Sequence, residues 1–404
     1  MSMIHEHNTS THTLALDDDH FEHGLFVITA LLIGIGVVMV YSATVHNRLT
    51  LTGDTSYLLS HLWHAGLALV VLLGGIFLPL AWVRRFAAPA LIIGAMLMLA
   101  VLLWGHTVNR STRWIDIGIR FQPGEFAKLF FLIWLAHSLA KKGEKIKSLS
   151  LGFLPYIFVA AMFVLLYMLQ PDFGSSIFLA MMMLSLLVIA GAKWQYVASF
   201  ILVSAPIGVG LVVTSEAKMN RIRAFMDPIR YEKTWGYQLT QSLTGFASNG
   251  FFGAGLGNGR QNITGLLPES QTDFIFSVIG EELGFIGVAL IAACFLYILY
   301  RGTVIAWRSR DPFMRYLAFG MTLLITVQAG INMAVNCRVL PTKGLPLPLV
   351  SFGGSNMVII AAAMGLLLNV SRNLLSPEAA KARAMAAVEE ATETTNVIVL
   401  KRED

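Results

Sequence analysis

Apolar residues fall along this chain in long unbroken runs, and polar and charged positions are gathered into the connectors between them. Runs near 24–44, 58–81, 86–105, 125–140, 151–169, 174–191, 196–214, 272–300, 314–336 and 352–371 are each about 20 residues long, the length at which a helix crosses a bilayer. They are too long and too continuous for barrel strands, so the pattern predicts ten transmembrane helices and an all-α polytopic membrane protein. An even number of spans places both termini on one side. The expected organisation is a polar tail over 1–23, a membrane domain over 24–372 and a second tail over 373–404.

Composition agrees with the pattern. Of 404 residues, 56% are hydrophobic and only 13% charged, with a mean hydropathy of +0.67, which excludes an ordinary soluble domain. The N-terminal tail has neither the basic stretch nor the small-residue cleavage site of a signal peptide, so the first span is expected to be retained. Its five histidines match no metal-ligand spacing. The two cysteines, Cys294 and Cys337, imply neither a disulfide framework nor a zinc site.

Arg84, Arg85, Lys141, Lys142, Lys145, Lys147, Arg301, Arg308 and Arg310 all fall on one side of the predicted topology, which the positive-inside bias makes cytoplasmic. The outer connectors are basic too, with Arg113, Arg120, Arg221, Arg223, Arg338 and Lys343 among them. Positive charge translocated against that bias points to an anionic ligand outside, or else to lipid headgroups.

Four outer stretches carry candidate chemistry. Pro123 opens the fourth span, and Glu125 and Lys128 lie three apart on one face of it, either as a stabilising ion pair or in a functional role. Gln170 to Gly174 forms a tight turn that brings Asp172 to the outer face. The segment 215–271 is too long for a simple connector, and its aromatic content predicts packed structure at the membrane surface. It ends in Gly253-Ala254-Gly255-Leu256-Gly257, a run that lets a ligand approach the backbone, and then in Asp273 at the start of the eighth span. Thr272 or Ser270 is expected to cap that span, leaving Asp273 at the positive end of the helix dipole, either as a dipole-favoured acid or as a catalytic one. Gly280 and Gly284 read as a helix-packing pair. Three prolines between Leu340 and Ser355 exclude a regular helix and predict a re-entrant lining of a site.

These motifs, in order across residues 24–372, resemble the SEDS family (shape, elongation, division and sporulation) of bacterial cell-wall synthesis, and more its division branch than its elongation branch. The matching pieces are Arg113-Trp114-Ile115, Gln122-Pro123-Gly124-Glu125 with Lys128, Pro171-Asp172-Phe173-Gly174, Gly236-Tyr237-Gln238, Leu267-Pro268-Glu269 with Thr272-Asp273-Phe274-Ile275-Phe276, Gly280-Glu281-Glu282-Leu283-Gly284, and Pro346-Leu347-Pro348 with Ser351-Phe352-Gly353-Gly354-Ser355. The resemblance implies a peptidoglycan glycosyltransferase that polymerises lipid II, with Asp273 as the essential acid and general base, and Glu125 and Lys128 beside it. Arg113, Arg120, Asp172, Arg221, Arg223, Lys343 and Ser351 are the expected substrate-binding residues. An unpaired Glu125 is expected to repel Asp273.

A divalent cation, magnesium or manganese, would assist the diphosphate, and no nucleotide, haem or flavin is expected. The implied partners are a class B penicillin-binding transpeptidase and other membrane proteins of the division machinery, with no nucleic acid. Ser351 and Ser355 have no lysine at the Ser-x-x-Lys spacing, so crosslinking is expected from another chain. A lipid II flippase and a non-catalytic scaffold are the competing readings. The clustering of ionisable groups at the outer boundary, instead of along a path to the inner face, favours the enzyme.

Overall fold

The computed structural model describes residues 21–49, 56–108, 111–116, 120–260 and 267–374. The two tails, with the histidine-rich N-terminal stretch, lie largely outside the described residues. Helices dominate: α1 (His23–Leu49), α2 (Ser56–Phe77), α3 (Leu80–Arg85), α4 (Ala87–Trp104), α5 (Pro123–Lys142), α6 (Leu154–Leu169), α7 (Phe173–Ile189), α8 (Trp194–Val213), α9 (Glu216–Met226), α10 (Tyr237–Ser248), α11 (Ile275–Arg308), α12 (Pro312–Asn336) and α13 (Gly354–Arg372). Among the described residues, eight helical stretches are long and apolar enough to cross a membrane. Two of the ten expected spans fall short of that measure for local reasons. Helix α7 has only 17 residues, and α5 carries Glu125, Lys128, Lys141 and Lys142 within its 20.

Helix α13 is the buried centre of the bundle. Gly75 of α2 meets Gly365 closely enough that a Cβ there would lie 3.0 Å from its Cα, so the missing side chains let the two backbones touch. Helix α8 is almost wholly exposed along its apolar length, as a helix against lipid can be. At the end of the bundle away from the site, Arg84 pairs with Asp311 at 2.7 Å and Arg301 with Glu22, tying together segments far apart in the chain.

The opposite end holds three features that the hydropathy pattern did not predict. Residues 106–121 form a small antiparallel sheet, β1 (His106–Val108), β2 (Ser111–Asp116) and β3 (Arg120–Phe121), ordered β1-β2-β3. Within 215–271, α9 and α10 are regular helices. Arg338 at the end of α12 donates to the carbonyls of Phe225 and Met226 at 3.2 and 3.0 Å, closing the end of α9.

The third feature corrects the reading of the glycine run. Gly253, Gly255 and Gly257 all have positive φ, and the run wraps a break in α11 where Gly284 takes φ 66°. That break frees helix carbonyls, and Ala254 and Gly255 donate to Glu281 O and Glu282 O, each at 2.9 Å. Side chains complete the clasp, since the Glu282 carboxylate accepts from Gly257 N at 3.1 Å and from Ser42 Oγ of α1 at 2.6 and 2.7 Å. The glycines therefore admit the kinked helix, not a ligand: a Cβ on Gly253 would lie 2.3 Å from Glu282 O. Gly280 serves packing as expected, against the ring of Phe246 on α10.

Candidate active site

Asp273 occupies the turn before α11, not a capped first turn. Glu269 adopts φ 57°, and the turn it starts sends Thr272 Oγ1 back to Glu269 Oε2 at 2.8 Å. Thr272 and Ser270 therefore cap nothing, and α11 begins after Phe274 without a side-chain cap. The backbone of Asp273 is held from α12, whose Asn332 and Asn336 Nδ2 atoms donate to its carbonyl at 2.8 and 3.0 Å. Gly344 of the proline-rich segment lies against the carboxyl group, such that a Cβ there would sit 2.8 Å from Oδ2. The expected non-helical lining is present: Leu345, Leu347, Leu349 and Val350 are buried, and Phe352 N donates to Gln271 O at 2.8 Å.

Enclosure sets the acidity. Burial pushes the Asp273 carboxyl up to about 7, and the Glu269 carboxylate adds to the rise while Arg221 and Arg113 work against it. The residue is nonetheless only partly buried, which leaves it the solvent access a proton acceptor requires. The carboxylate that acts on Asp273 in the intact protein is Glu269, while Glu125 is neutralised by its pairing with Lys128.

Glu125 and Lys128 are paired as their spacing predicts, at 2.7 Å, with both side chains buried at the start of α5. The second Glu125 oxygen accepts from Asn356 Nδ2 of α13 at 2.9 Å, and Lys128 Nζ lies 5.4 Å over the ring of Phe178. Both charges of this pair thus find partners inside the protein.

The expected binding residues divide into two groups. Arg113 and Arg221 act on Asp273, while Asp172 adjoins Arg113 and Lys343 lies at the same end against the start of α7. Arg113 Nε lies 3.9 Å from Asp172 and its guanidinium donates to Pro171 O, while Asp172 caps α7 by accepting from Ser175 N at 3.0 Å. Lys343 crosses the start of α7, where a Cβ on Gly174 would lie 2.3 Å from its Cε. Burial and the Lys128 charge lower the Lys343 ammonium to about 8, with Asp172 opposing them. Arg221 is exposed at the rim, its charge felt by both Arg113 and Asp273.

The remaining residues stand apart. Arg223 is exposed and bonds Asn220 at 3.2 Å. Ser351 turns inward, its hydroxyl accepting from Leu347 N at 2.7 Å to hold the proline-rich segment. The Arg120 side chain lies outside the described residues, although its backbone forms β3. Ser-x-x-Lys spacings do occur in the chain, at Ser138 and Lys141 toward the other end of α5, where Ser138 Oγ meets Tyr156 Oη at 3.2 Å, and at Ser215 and Lys218 at the start of α9, where Lys218 Nζ donates to Leu211 O at 3.2 Å.

Gln328, Asn332, Asn336 and Asn356 were not picked out from the sequence. The available signal was amides spaced by four within an apolar span, where polar groups need partners. Among the described residues no group of three or more His, Cys, Asp or Glu could hold a metal ion. The acid at the site has two arginines and one carboxylate for neighbours, a donor set that does not fit a resident divalent cation.

A half-buried acid poised near neutrality, ringed by cations at one end of a bundle of membrane-length helices, defines a polytopic membrane protein with an enclosed acid–base site. Comparisons with known proteins agree. The FtsW/RodA/SpoVE family, described as cell cycle protein, matches residues 23–375, and the chain belongs to this family, the SEDS proteins. It is 39% identical over 87% of its length to the "Probable peptidoglycan glycosyltransferase FtsW" of Trichlorobacter lovleyi, covering 93% of that protein. It is 37% identical to the protein of that name from Geobacter sp., covering 87% of this chain and 96% of that one. Among solved structures, one described as "Structural coordination of polymerization and crosslinking by a peptidoglycan synthase complex" superposes with a TM-score of 0.74 at 25% identity, over 88% of this chain and 99% of that one. The Thermus thermophilus rod shape determining protein RodA shares the fold, with a TM-score of 0.66 over 88% of this chain and 98% of that one.

Proposed function

We propose that this chain is a peptidoglycan glycosyltransferase that polymerises lipid II at the outer face of the cytoplasmic membrane, in septal wall synthesis. The observation that carries the reading is the Asp273 carboxyl, raised to about 7 by burial and by Glu269, with Arg113 and Arg221 beside it. A base poised near working pH is what proton removal from a sugar hydroxyl needs, and fixed cations are what a departing diphosphate needs. The names of its relatives support the same class.

In this reading the acceptor hydroxyl gives its proton to Asp273 as its oxygen bonds to the anomeric carbon of the donor. The bond from that carbon to the diphosphate oxygen breaks, and polyprenyl diphosphate leaves with the bonding electrons. Arg113, Arg221 and Lys343 receive the charge through charge-assisted hydrogen bonds. A single inverting displacement suffices, because Glu269 is turned to Thr272 and the carboxyl lying against Gly344 is that of Asp273. The Glu125–Lys128 pair shapes the floor of the site without exchanging protons.

Both termini are cytoplasmic in this scheme, with residues 1–23 and 373–404 as tails and 215–271 outside, following the basic inner connectors. The chain works beside a class B penicillin-binding transpeptidase, which crosslinks the strands it makes. The test is strand synthesis from purified lipid II with and without that transpeptidase. The expected result is polymer from the wild type, more of it with the partner, and none from Asp273→Ala in either preparation. Polymer from Asp273→Ala at the wild-type rate would overturn the assignment of the base, and no polymer from any preparation would overturn the enzyme.

A further inference from the structure

Helix α12 carries three amide side chains at intervals of four, Gln328, Asn332 and Asn336, all buried, at 0%, 2% and 0% exposure. An apolar span holds such groups only where each has a partner. Here their donors reach groups of the site, while Asn336 Oδ1 accepts from Ser277 Oγ of α11 at 2.7 Å. Asn332 Nδ2 donates to Asp273 O at 2.8 Å and to Leu345 O at 2.7 Å, so a single side chain fastens the acid-bearing turn to the segment that carries Gly344. Asn336 adds a second donor to Asp273 O at 3.0 Å. One turn along, Gln328 Nε2 donates to Pro346 O at 2.9 Å and to Asn356 Oδ1 at 3.1 Å, and Asn356 passes the chain to Glu125 Oε2 at 2.9 Å. Gln328 Oε1 has no partner among the described residues, an uncompensated cost that points to this amide being kept for its donors.

We infer that Asn332 is the positioning residue of the site: it sets the distance between the Asp273 carboxyl and the Gly344 wall, with Gln328 and Asn356 linking that wall to the Glu125–Lys128 pair. The inference rests on the glycosyltransferase reading and adds to it the device that holds the base in place. Neither Leu345 nor Gly344 has a side chain that could do this, and the Asp273 turn has no cap of its own, so the amide supplies the register at the acid itself, beyond the Phe352 N to Gln271 O bond that joins the two segments farther along. Loss of that register lets the two walls part and water reach the carboxyl.

The test compares wild type, Asn332→Leu and Asn332→Ser in strand synthesis with the partner transpeptidase present, together with thermal melting in detergent. Asn332→Leu is expected to lower kcat about 10- to 100-fold, as displacement of a catalytic group by an ångström does, while KM for lipid II stays within about twofold. The pH midpoint of kcat is expected to move to lower pH, because a better-hydrated carboxyl ionises more readily. Asn332→Ser, which keeps a short donor, is expected to lie between the two, and it decides the matter should Asn332→Leu fail to accumulate in membranes. Wild-type kcat and midpoint in the variant that folds would overturn the inference, as would a loss of rate that tracks melting with the midpoint unmoved. An inactive wild type would refute the glycosyltransferase reading itself, and so is a separate outcome.

Discussion

Replacing Lys128 by methionine tests what the buried ion pair does. Lys128 and Glu125 lie 2.7 Å apart with side-chain exposures of 2% and 5%, so neither charge has water to fall back on. Removing the ammonium leaves Glu125 with the single Asn356 donor at 2.9 Å, inside a protein surrounded by apolar helices. Breaking a buried pair from one side costs about 3–5 kcal/mol, since an uncompensated charge remains. Total stabilities are commonly about 5–15 kcal/mol, so Lys128→Met should lower the melting temperature of the purified protein markedly and cut the folded yield. Glu125→Gln with Lys128→Met removes the stranded charge and should recover most of the lost stability, though the floor of the site stays altered. The assay is fluorescence-detected size-exclusion chromatography after heating, with lipid II polymerisation measured on the folded fraction. A single variant that melts with the wild type would refute the reasoning, as would a double variant no better than the single one.

Neutralising Arg113, Arg221 and Lys343 one at a time should weaken lipid II binding about tenfold or more each, from charge-assisted contacts worth about 1.5–3 kcal/mol, and titration with labelled lipid II checks it. Arg223→Gln, whose guanidinium is exposed and bonded to Asn220, should bind as wild type does. Gly284→Ala forces a side chain onto φ 66° and into the Gly253 backbone, 2.4 Å from a Cβ, so it should reduce folded yield in the same chromatography more than Gly74→Ala, which meets open space.

The helices were legible because lipid permits so little else: a backbone with no water must satisfy itself, and apolar runs of span length reveal that directly. The Glu125–Lys128 pair was legible for a similar reason, since three residues along a helix is one face. Asp273 was marked by its neighbours in sequence, but the reason for its acidity was not. Glu269 reaches it through a turn with positive φ, and Gly344 comes from a segment some 70 residues on, neither of which a local pattern encodes. The glycine run was misread because glycine reports that something comes close without saying what, and here it is a kinked helix of the same chain. The short sheet over 106–121 escaped because two- to six-residue strands carry too few alternations to stand out from a connector.

The central claim is that Asp273 acts as a base held near neutrality by burial and by Glu269. Its direct test is the pH dependence of polymerisation under saturating lipid II. A base must be ionised to act, so the rate should climb with pH through about 7 and level off above it, and at pH 6 it should stand at about a tenth of the plateau. Folding follows the same shift with the opposite sense. A carboxyl raised from 3.8 to about 7 favours the protonated native state, so this group's contribution to stability is full below pH 3.8 and is lost as pH rises through about 7. Glu269→Gln removes the repelling carboxylate and should carry the rate midpoint to lower pH, while Arg221→Gln should carry it higher. A rate that is flat from pH 5.5 to 8.5, or a midpoint that neither substitution moves, would contradict the account.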